Sequence, residues 1–241
     1  MAHTGNDLGG LQGPVILVLE TATMCGSIAI VTEGQCLAEF SLQTQETHSR
    51  RLLAGVDWLF KETSLGWPDI DAVAVSLGPG SFTGLRIGLS TAKGLAMAGN
   101  KKLLGVGTLD GLAAQMHGAR QLICPVLDAR KKEVFCGLYR CNEQGVPQLQ
   151  GDYLVLKPAE LCERINEPVL FLGDGITAYG DLFADQLGDL VTMAPVAAYY
   201  PRAATVGLLA IDRWRNDEFL DPAAAEPIYI RPSEAELLFG K

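Results

Sequence analysis

The chain has 241 residues, of which 48% are hydrophobic and 20% are charged. These values exclude a disordered, collagen-like or disulfide-stapled polypeptide, because a chain of this length can bury most of the surface that it exposes when unfolded. Nineteen Lys plus Arg against 28 Asp plus Glu give a net charge of −9. This charge repels phosphate backbones and argues against tight nucleic-acid binding by the chain alone.

Cysteine spacing and the N-terminal sequence indicate the cellular setting. The six cysteines contain no C-x-x-C pair, so zinc and redox motifs are absent. The apolar stretch Ile16 to Leu19 is far shorter than the ~20 residues of a membrane span and too short for a signal-peptide core. We therefore expect a cytoplasmic protein with reduced thiols and no membrane association. Residues 1–13, rich in Gly and polar residues, are expected to form a flexible tail.

Hydrophobic periodicity in the first half predicts a three-stranded meander followed by alternating helices and strands. In chain order, we expect strands at 15–19, 27–31 and 36–42, a helix at 48–61, a strand at 72–77, a helix at 82–97, a strand at 103–106 and a helix at 109–117. The same order then begins again near Leu122.

The second half is predicted to repeat the first. We expect strands at 123–127, 133–139 and 153–156, a helix at 158–165, a strand at 169–172, a helix at 178–187, a strand at 190–193 and a helix at 203–215. Each half has the order β-β-β-α-β-α-β-α, which gives two α/β lobes with mixed sheets. This order is typical of the actin, sugar-kinase and Hsp70 superfamily (ASKHA), and this fold analogy implies an architecture but no activity. The lobes are assigned to 14–118 and 119–218, with a C-terminal segment at 219–241.

A glycine-rich segment, Gly78 to Gly88, follows the predicted buried strand at 72–77. Gly78, Pro79 and Gly80 are typical of a tight turn, and Ser81 can cap the next helix. A helix N-terminus after such a turn can bind an anion. The segment lacks both phosphate-binding glycine motifs, however, so a tight turn into a helix is the competing interpretation.

Small residues recur every four positions along the helix predicted at 82–97. They are Gly80, Gly84, Gly88, Ala92 and Ala96. A glycine inside a helix costs about 1 kcal/mol relative to alanine, so some close contact should offset this cost. Such a stripe lets another helix approach closely, either from a second molecule or as part of packing on the chain's own sheet. We expect a bulky residue at Gly84 or Gly88 to disrupt association before folding if the contact is intermolecular.

Two polar turns occupy the positions at which a nucleotide-binding protein of this fold would hold metal and phosphate. Glu20 and Thr21 belong to the first turn, and Asp128 belongs to the second. Both turns lack the glycines that let a backbone approach phosphate, so these three residues are candidates only for a vestigial nucleotide site. No two of the three histidines have H-x-x-x-H spacing, which leaves a metallopeptidase as the weakest hypothesis.

Four segments together resemble the TsaB (YeaZ-like) family of bacterial tRNA threonylcarbamoyladenosine biosynthesis proteins. The strongest is Asp71 to Gly88, and the weaker ones are Leu17 to Ile30, His48 to Leu53 and Leu127 to Phe135. The resemblance covers most of residues 15–200.

The resemblance implies an actin-like, two-lobed protein without established chemistry of its own. It implies a heterodimer with the paralogue TsaD, which carries the metal and transfers the threonylcarbamoyl group to adenosine 37 of tRNAs that read codons beginning with A. The ATPase TsaE joins this complex, and a separate enzyme makes threonylcarbamoyl-adenylate. It further implies a homodimer when the chain is alone, contact with tRNA only through the complex, and no cofactor beyond weak or interfacial ATP or ADP. The alternative is an actin-like small-molecule kinase or ATPase that acts on its own.

The family uses its first two helices to contact its partner or itself. Helical spacing then selects the interface residues His48, Leu52, Val56, Phe82, Leu85, Arg86, Leu89 and Lys93. Two residues depart from the family pattern. Glu20 replaces the usual Asp of the first turn, which weakens a metal-nucleotide site further, and Arg50 stands where an acidic residue is frequent.

Overall fold

A computed structural model of the chain describes residues 12–43 and 48–231. The side chains of residues 48–51 lie outside this description, as does most of the tail predicted for 1–13. The elements of the first half are β1 (Ile16–Glu20), β2 (Cys25–Thr32), β3 (Gln35–Gln43), α1 (His48–Thr63), β4 (Ala72–Gly78), α2 (Phe82–Gly99), β5 (Lys102–Gly107) and α3 (Thr108–Ala113).

The second half contains more strands than the first. Its elements are β6 (Leu122–Asp128), β7 (Val134–Cys136), β8 (Tyr139–Cys141), β9 (Pro147–Leu149), β10 (Leu154–Leu156), α4 (Pro158–Cys162), β11 (Val169–Leu172), α5 (Gly175–Leu187), β12 (Val191–Met193) and α6 (Ala203–Arg215). Over the described residues, none of the helices is both long enough and apolar enough to cross a membrane.

The two sheets repeat one strand order. The first sheet runs β3-β2-β1-β4-β5, with antiparallel pairs up to β1 and parallel pairs from β1 to β5. In the second sheet the order β10-β7-β6-β11-β12 has the same directions. The predicted actin-like duplication with mixed sheets is therefore confirmed. One strand differs: the strand predicted at 133–139 is split into β7 and β8, because β8 pairs with the opposite end of β6 and forms an extra hairpin with β9.

Each sheet is covered on both faces, which explains the continuous apolar runs of its central strands. All five residues of β1 are buried. Helices α1 and α2 pack on one face of the first sheet, and α4 and α5 pack on one face of the second. The remaining two helices, α3 and α6, lie between the sheets and contact each other.

The covering of the inner faces corrects the predicted lobe boundaries. Helix α6 was assigned to the second lobe (119–218), but it packs on β1, β2, β4 and β5 of the first sheet. Its Ala203, Val206 and Ala210 are fully buried there. Helix α3, at the end of the first lobe, contributes Leu109 and Leu112 to the core of the second sheet. The two halves therefore exchange their last helices, and neither half closes its own core.

A polar contact also joins the halves. The Asp110 carboxylate of α3 accepts hydrogen bonds from the hydroxyls of Tyr139 and Tyr153, each at 2.7 Å. Burial, followed by the nearby Asp110 charge, raises the pKa of both phenols, so they remain donors at neutral pH. A Cβ at Gly107 would lie 1.9 Å from the Tyr153 hydroxyl, so this approach requires glycine at position 107.

A Cβ at Gly207 of α6 would lie 2.6 Å from Val31 and 2.8 Å from Val18 of the first sheet. Because a larger side chain would overpack this contact, we expect Gly207→Val to lower the free energy of unfolding by roughly 1–3 kcal/mol. Urea unfolding measures this change. The control is Leu208→Ala, on the exposed side of the same helix, which should change stability by less than about 0.5 kcal/mol. Equal stability of the two variants would contradict the packing of α6 on the first sheet.

Candidate partner-binding surface

The first turn of α2 is fixed by the turn between β1 and β2. The Ser81 amide donates to the Ala22 carbonyl at 2.7 Å, and the Ser81 hydroxyl accepts from the Gly84 amide at 3.3 Å. Ser81 is therefore the N-cap, as its position in the sequence predicts. The helix ends at Asn100, whose left-handed backbone (φ 50°) stops it.

The small-residue stripe of α2 faces inward. A Cβ would lie 2.1 Å from the Thr21 carbonyl oxygen at Gly84, 2.2 Å from the Thr21 hydroxyl at Gly88 and 2.5 Å from the Ala22 carbonyl oxygen at Gly80. Further along, Ala92 and Ala96 are buried against the first sheet. The stripe thus packs on the chain's own sheet and turn. Its intermolecular interpretation is wrong, because Thr21 and Ala22 already fill the space beside the three glycines and leave no room for a second helix.

This packing removes Glu20 and Thr21 from solvent. Both residues are fully buried, and the Thr21 hydroxyl donates to the Gly84 carbonyl at 2.8 Å. Glu20 Oε1 accepts from the Ala22 amide at 2.6 Å. In this arrangement neither side chain is open to a metal ion or a phosphate, which corrects their suggested role in a vestigial nucleotide site.

The Glu20 carboxyl has an unusual pKa. Burial raises the pKa of its carboxyl to about 7, against smaller opposing effects of the Ser76 hydroxyl and the backbone amides of Ala22 and Thr21. Glu20 Oε2 and Ser76 Oγ nevertheless make no hydrogen bond of normal geometry. The raised pKa keeps part of this carboxyl protonated near neutral pH, which is a poor state for a cation ligand.

Asp128 makes its hydrogen bonds and ion pair within the second lobe. Its amide donates to the Asp174 carboxylate at 3.1 Å, and its own carboxylate accepts from the Arg130 amide and pairs with the Arg130 guanidinium at 3.2 Å. Burial raises the pKa of Asp174 to about 6. These hydrogen bonds and the ion pair remain within the second lobe, so they do not join Asp128 to Glu20 and Thr21.

Half of the predicted interface residues lie in the chain's own core. Leu52, Val56 and Leu89 are at most 5% exposed and belong to the core on the first sheet. Leu85 is 1% exposed and lies beside Gly78 at the end of β4. Their part of the interface prediction is wrong, because helical spacing finds the apolar face of a helix but not which surface covers it.

The other four predicted residues differ in position. Phe82 and Arg86 are exposed at the start of α2, and Lys93 is half-buried. The side chain of His48 lies outside the described residues, although α1 begins at this position.

A different set of residues is exposed on α1 and α2. The two helices contact each other on the same face of the sheet, so their outer sides form one continuous surface. Eight exposed residues define this surface, which we call the docking face: Leu53, Ala54, Asp57, Trp58, Ser90, Gly94, Met97 and Ala98.

The docking face has the chemistry of a helix-binding surface. Leu53 is 52% exposed, Trp58 47% and Met97 67%, an unusual concentration of large apolar groups on two adjacent helices. Ser90, Gly94 and Ala98 recur every four residues on the outer side of α2, and a Cβ at Gly94 would meet nothing within 4 Å. The sequence contains this second small-residue stripe as plainly as the first. Only the position of Thr21 shows which stripe faces outward.

The repeated strand order and the exchanged helices define a two-lobed α/β protein of the actin-like class. A family model described as TsaD, tRNA N6-adenosine threonylcarbamoyltransferase, matches residues 39–239. The tRNA threonylcarbamoyladenosine biosynthesis protein TsaB of Escherichia coli K12 is 31% identical over 91% of this chain and 96% of its own length. The TsaB of Bacillus subtilis 168 is 30% identical over 92% and 96%, respectively. The chain therefore belongs to the family that this model describes and, within it, to the TsaB proteins.

Solved structures agree with this assignment. The structure of YeaZ from Pseudomonas aeruginosa is 29% identical, covers 90% of this chain and all of its own, and has a TM-score of 0.75. The activator of 2-hydroxyisocaproyl-CoA dehydratase from Clostridium difficile, solved with bound ADPNP, has a TM-score of 0.50 at 10% identity. At that identity the second match shows the shared fold alone.

Leucine substitutions at Gly84 and Gly94 should separate the inner and outer sides of α2. Gly84→Leu meets the Thr21 carbonyl and should lower the free energy of unfolding by on the order of 3 kcal/mol. Gly94→Leu enters open space and should leave stability unchanged or raise it by up to about 1 kcal/mol, because leucine favours the helix. Chemical denaturation of both variants measures the difference, and equal destabilisation would refute this orientation of α2.

The buried Glu20 carboxyl should make stability depend on pH. Because its pKa in the folded chain (about 7) lies above the ordinary 4.5, the natural protein should lose about 3 kcal/mol of stability as the pH rises through this interval. Glu20→Gln removes the titration. The unfolding free energy of the variant minus that of the natural protein should therefore rise by about that amount between pH 4.5 and about pH 8. Asp174 titrates in both proteins, so its effect cancels in the difference between their unfolding free energies. A difference that is independent of pH would show that Glu20 is not buried as a proton-binding group.

Proposed function

We propose that this chain is the non-catalytic activating subunit of a complex that synthesises threonylcarbamoyladenosine in tRNA. One observation carries the proposal: α2 seals the acid of the first turn on its inner side and presents an apolar, small-residue face on its outer side. A buried Glu20 argues against an independent kinase or ATPase, which needs an accessible acid to hold a metal-bound nucleotide. The docking face fits a partner helix pair.

The proposed partner is the catalytic paralogue TsaD. The match of this chain to a TsaD family model supports a partner of the same fold, which would present an equivalent helix pair. Two related subunits then pack through corresponding surfaces about an approximate two-fold axis, and two copies of this chain do so about an exact one. The homodimer and the heterodimer therefore use one face and exclude each other.

The remaining components contribute what this chain lacks. At a net charge of −9, the chain repels tRNA, so tRNA is held through the complex. The ATPase TsaE joins the complex, and ATP or ADP binds to the partners or weakly between subunits. All six cysteines are free of disulfides, which agrees with a protein that acts in the cytoplasm, where thiols stay reduced.

Reconstituted tRNA modification tests the proposal. Purified TsaD, TsaE and the enzyme that makes threonylcarbamoyl-adenylate should modify tRNA efficiently only when this chain is added. Met97→Glu places a charge on the docking face and should weaken binding to TsaD by at least about tenfold, with a matching loss of modification at limiting concentrations.

The matched control is Val196→Glu, which adds the same charge to an equally exposed apolar position in the second lobe. It should bind TsaD and support modification as the natural protein does. If modification proceeds equally well without this chain, the proposed function is wrong. If Met97→Glu is as effective as the control, the docking face is not where TsaD binds.

A further inference from the structure

The last described residues form a strap that crosses from the first lobe to the second. The strap, Leu220 to Arg231, starts with a hydrogen bond from the Leu220 amide to the Leu103 carbonyl of β5 at 2.8 Å. It ends where Arg231 donates to the Ala129 carbonyl at 3.0 Å and pairs with Glu133, next to the turn between β6 and β7. Between these points it passes over the start of α2.

The strap makes its main side-chain contact at the first turns of α2. The Tyr229 ring stacks on Phe82, with ring centroids 5.2 Å apart. The Arg86 guanidinium carbon lies 3.9 Å from the centroid of the Phe82 ring, and Arg86 Nε donates to the Tyr229 hydroxyl at 3.0 Å. The stack and the hydrogen bond thus both involve Tyr229, while the close cation–π contact of Arg86 is with Phe82.

The backbone of the strap packs closely against Gly78. The Ile228 amide donates to the Leu77 carbonyl at 2.8 Å, and a Cβ at Gly78 would lie 2.8 Å from the Ile228 carbonyl oxygen. Gly78 also has a φ of 118°, a conformation that L side chains rarely adopt. The first glycine of the sequence motif therefore has a role that the sequence does not reveal: it allows the strap to dock.

Little apolar burial holds the strap in place. All ten residues from 221 to 230 are exposed or half-buried, with Ile228 at 36% and Tyr229 at 38%, and the core contacts of Ala225 and Ile230 bury them only in part. Segments with few buried contacts and exposed hydrogen bonds open at low free-energy cost. The strap is thus a local structure that can detach while the two sheets remain folded.

The position of Tyr229 relates the strap to the docking face. Arg86 lies four residues before Ser90, eight before Gly94 and eleven before Met97, so all four residues lie on the same side of α2. Tyr229 contacts Arg86, and the strap leaves Ser90, Gly94 and Met97 exposed. A partner helix that lies along the whole length of α2 must therefore meet Tyr229.

We infer that the strap is an autoinhibitory segment at the start of α2, beside the docking face, and that the catalytic partner displaces it when it binds along this helix. This inference depends on the proposed function, because it takes TsaD as the partner at that face. The closed strap reduces the fraction of molecules that can bind, so the measured affinity is lower than the affinity of the open form. Releasing the strap raises affinity without adding a contact.

The test compares the TsaD affinity of three full-length proteins. Tyr229→Ala removes the stack and the hydrogen bond, and it should bind TsaD about threefold to tenfold more tightly than the natural protein. Tyr229→Phe keeps the stack and should bind much as the natural protein does. Neither change touches the sheet cores, and circular dichroism confirms the fold of each variant.

A second measurement reports on the strap itself. Adding saturating TsaD to the natural protein should increase chymotrypsin cleavage after Tyr229, because strap opening and partner binding favour each other. If TsaD binds the natural protein but Tyr229→Ala has equal or lower affinity, or if TsaD protects this site, the inference is overturned and the proposed function stands. If TsaD binds none of the three proteins, the proposed function fails and the inference fails with it.

Discussion

The fit of α2 against the turn between β1 and β2 determines how the rest of the structure can be used. Gly84 and Gly88 bring the helix so close to Thr21 that any side chain would collide with its carbonyl or hydroxyl. This contact offsets the cost of placing glycine in a helix and fixes the rotation of α2 about its axis. Once that rotation is set, Glu20 is buried on one side of the helix and Gly94 is exposed on the other.

The same contact separates this chain from a nucleotide-using protein of the same fold. A site for metal and phosphate at the first turn needs an accessible acid and a nearby space, whereas here the acid is fully buried and the space holds a helix. The exchange of α3 and α6 between the sheets, with Asp110 bound by Tyr139 and Tyr153, joins the two lobes through buried contacts. Two lobes joined in this way are suited to presenting a fixed surface to a partner.

The sequence is sufficient to predict the duplicated strand order, because each meander and crossover leaves a local hydrophobic pattern. It is not sufficient to place α6, since an apolar helix face packs equally well on either sheet and only the assembled chain shows which inner face is uncovered. The same limit applies to α2. The stripes through Gly84 and through Gly94 look alike in sequence, and the neighbour that distinguishes them, Thr21, is more than sixty residues away.

Hydrogen exchange of this chain, alone and bound to TsaD, directly tests whether α1 and α2 form the partner surface, because it shows which backbone amides become protected in the complex. We expect new protection along α1 and along the outer stripe of α2 around Gly94, with no change in the central strands, which are already buried. Protection confined to the second lobe, with α1 and α2 unchanged, would show that TsaD binds elsewhere.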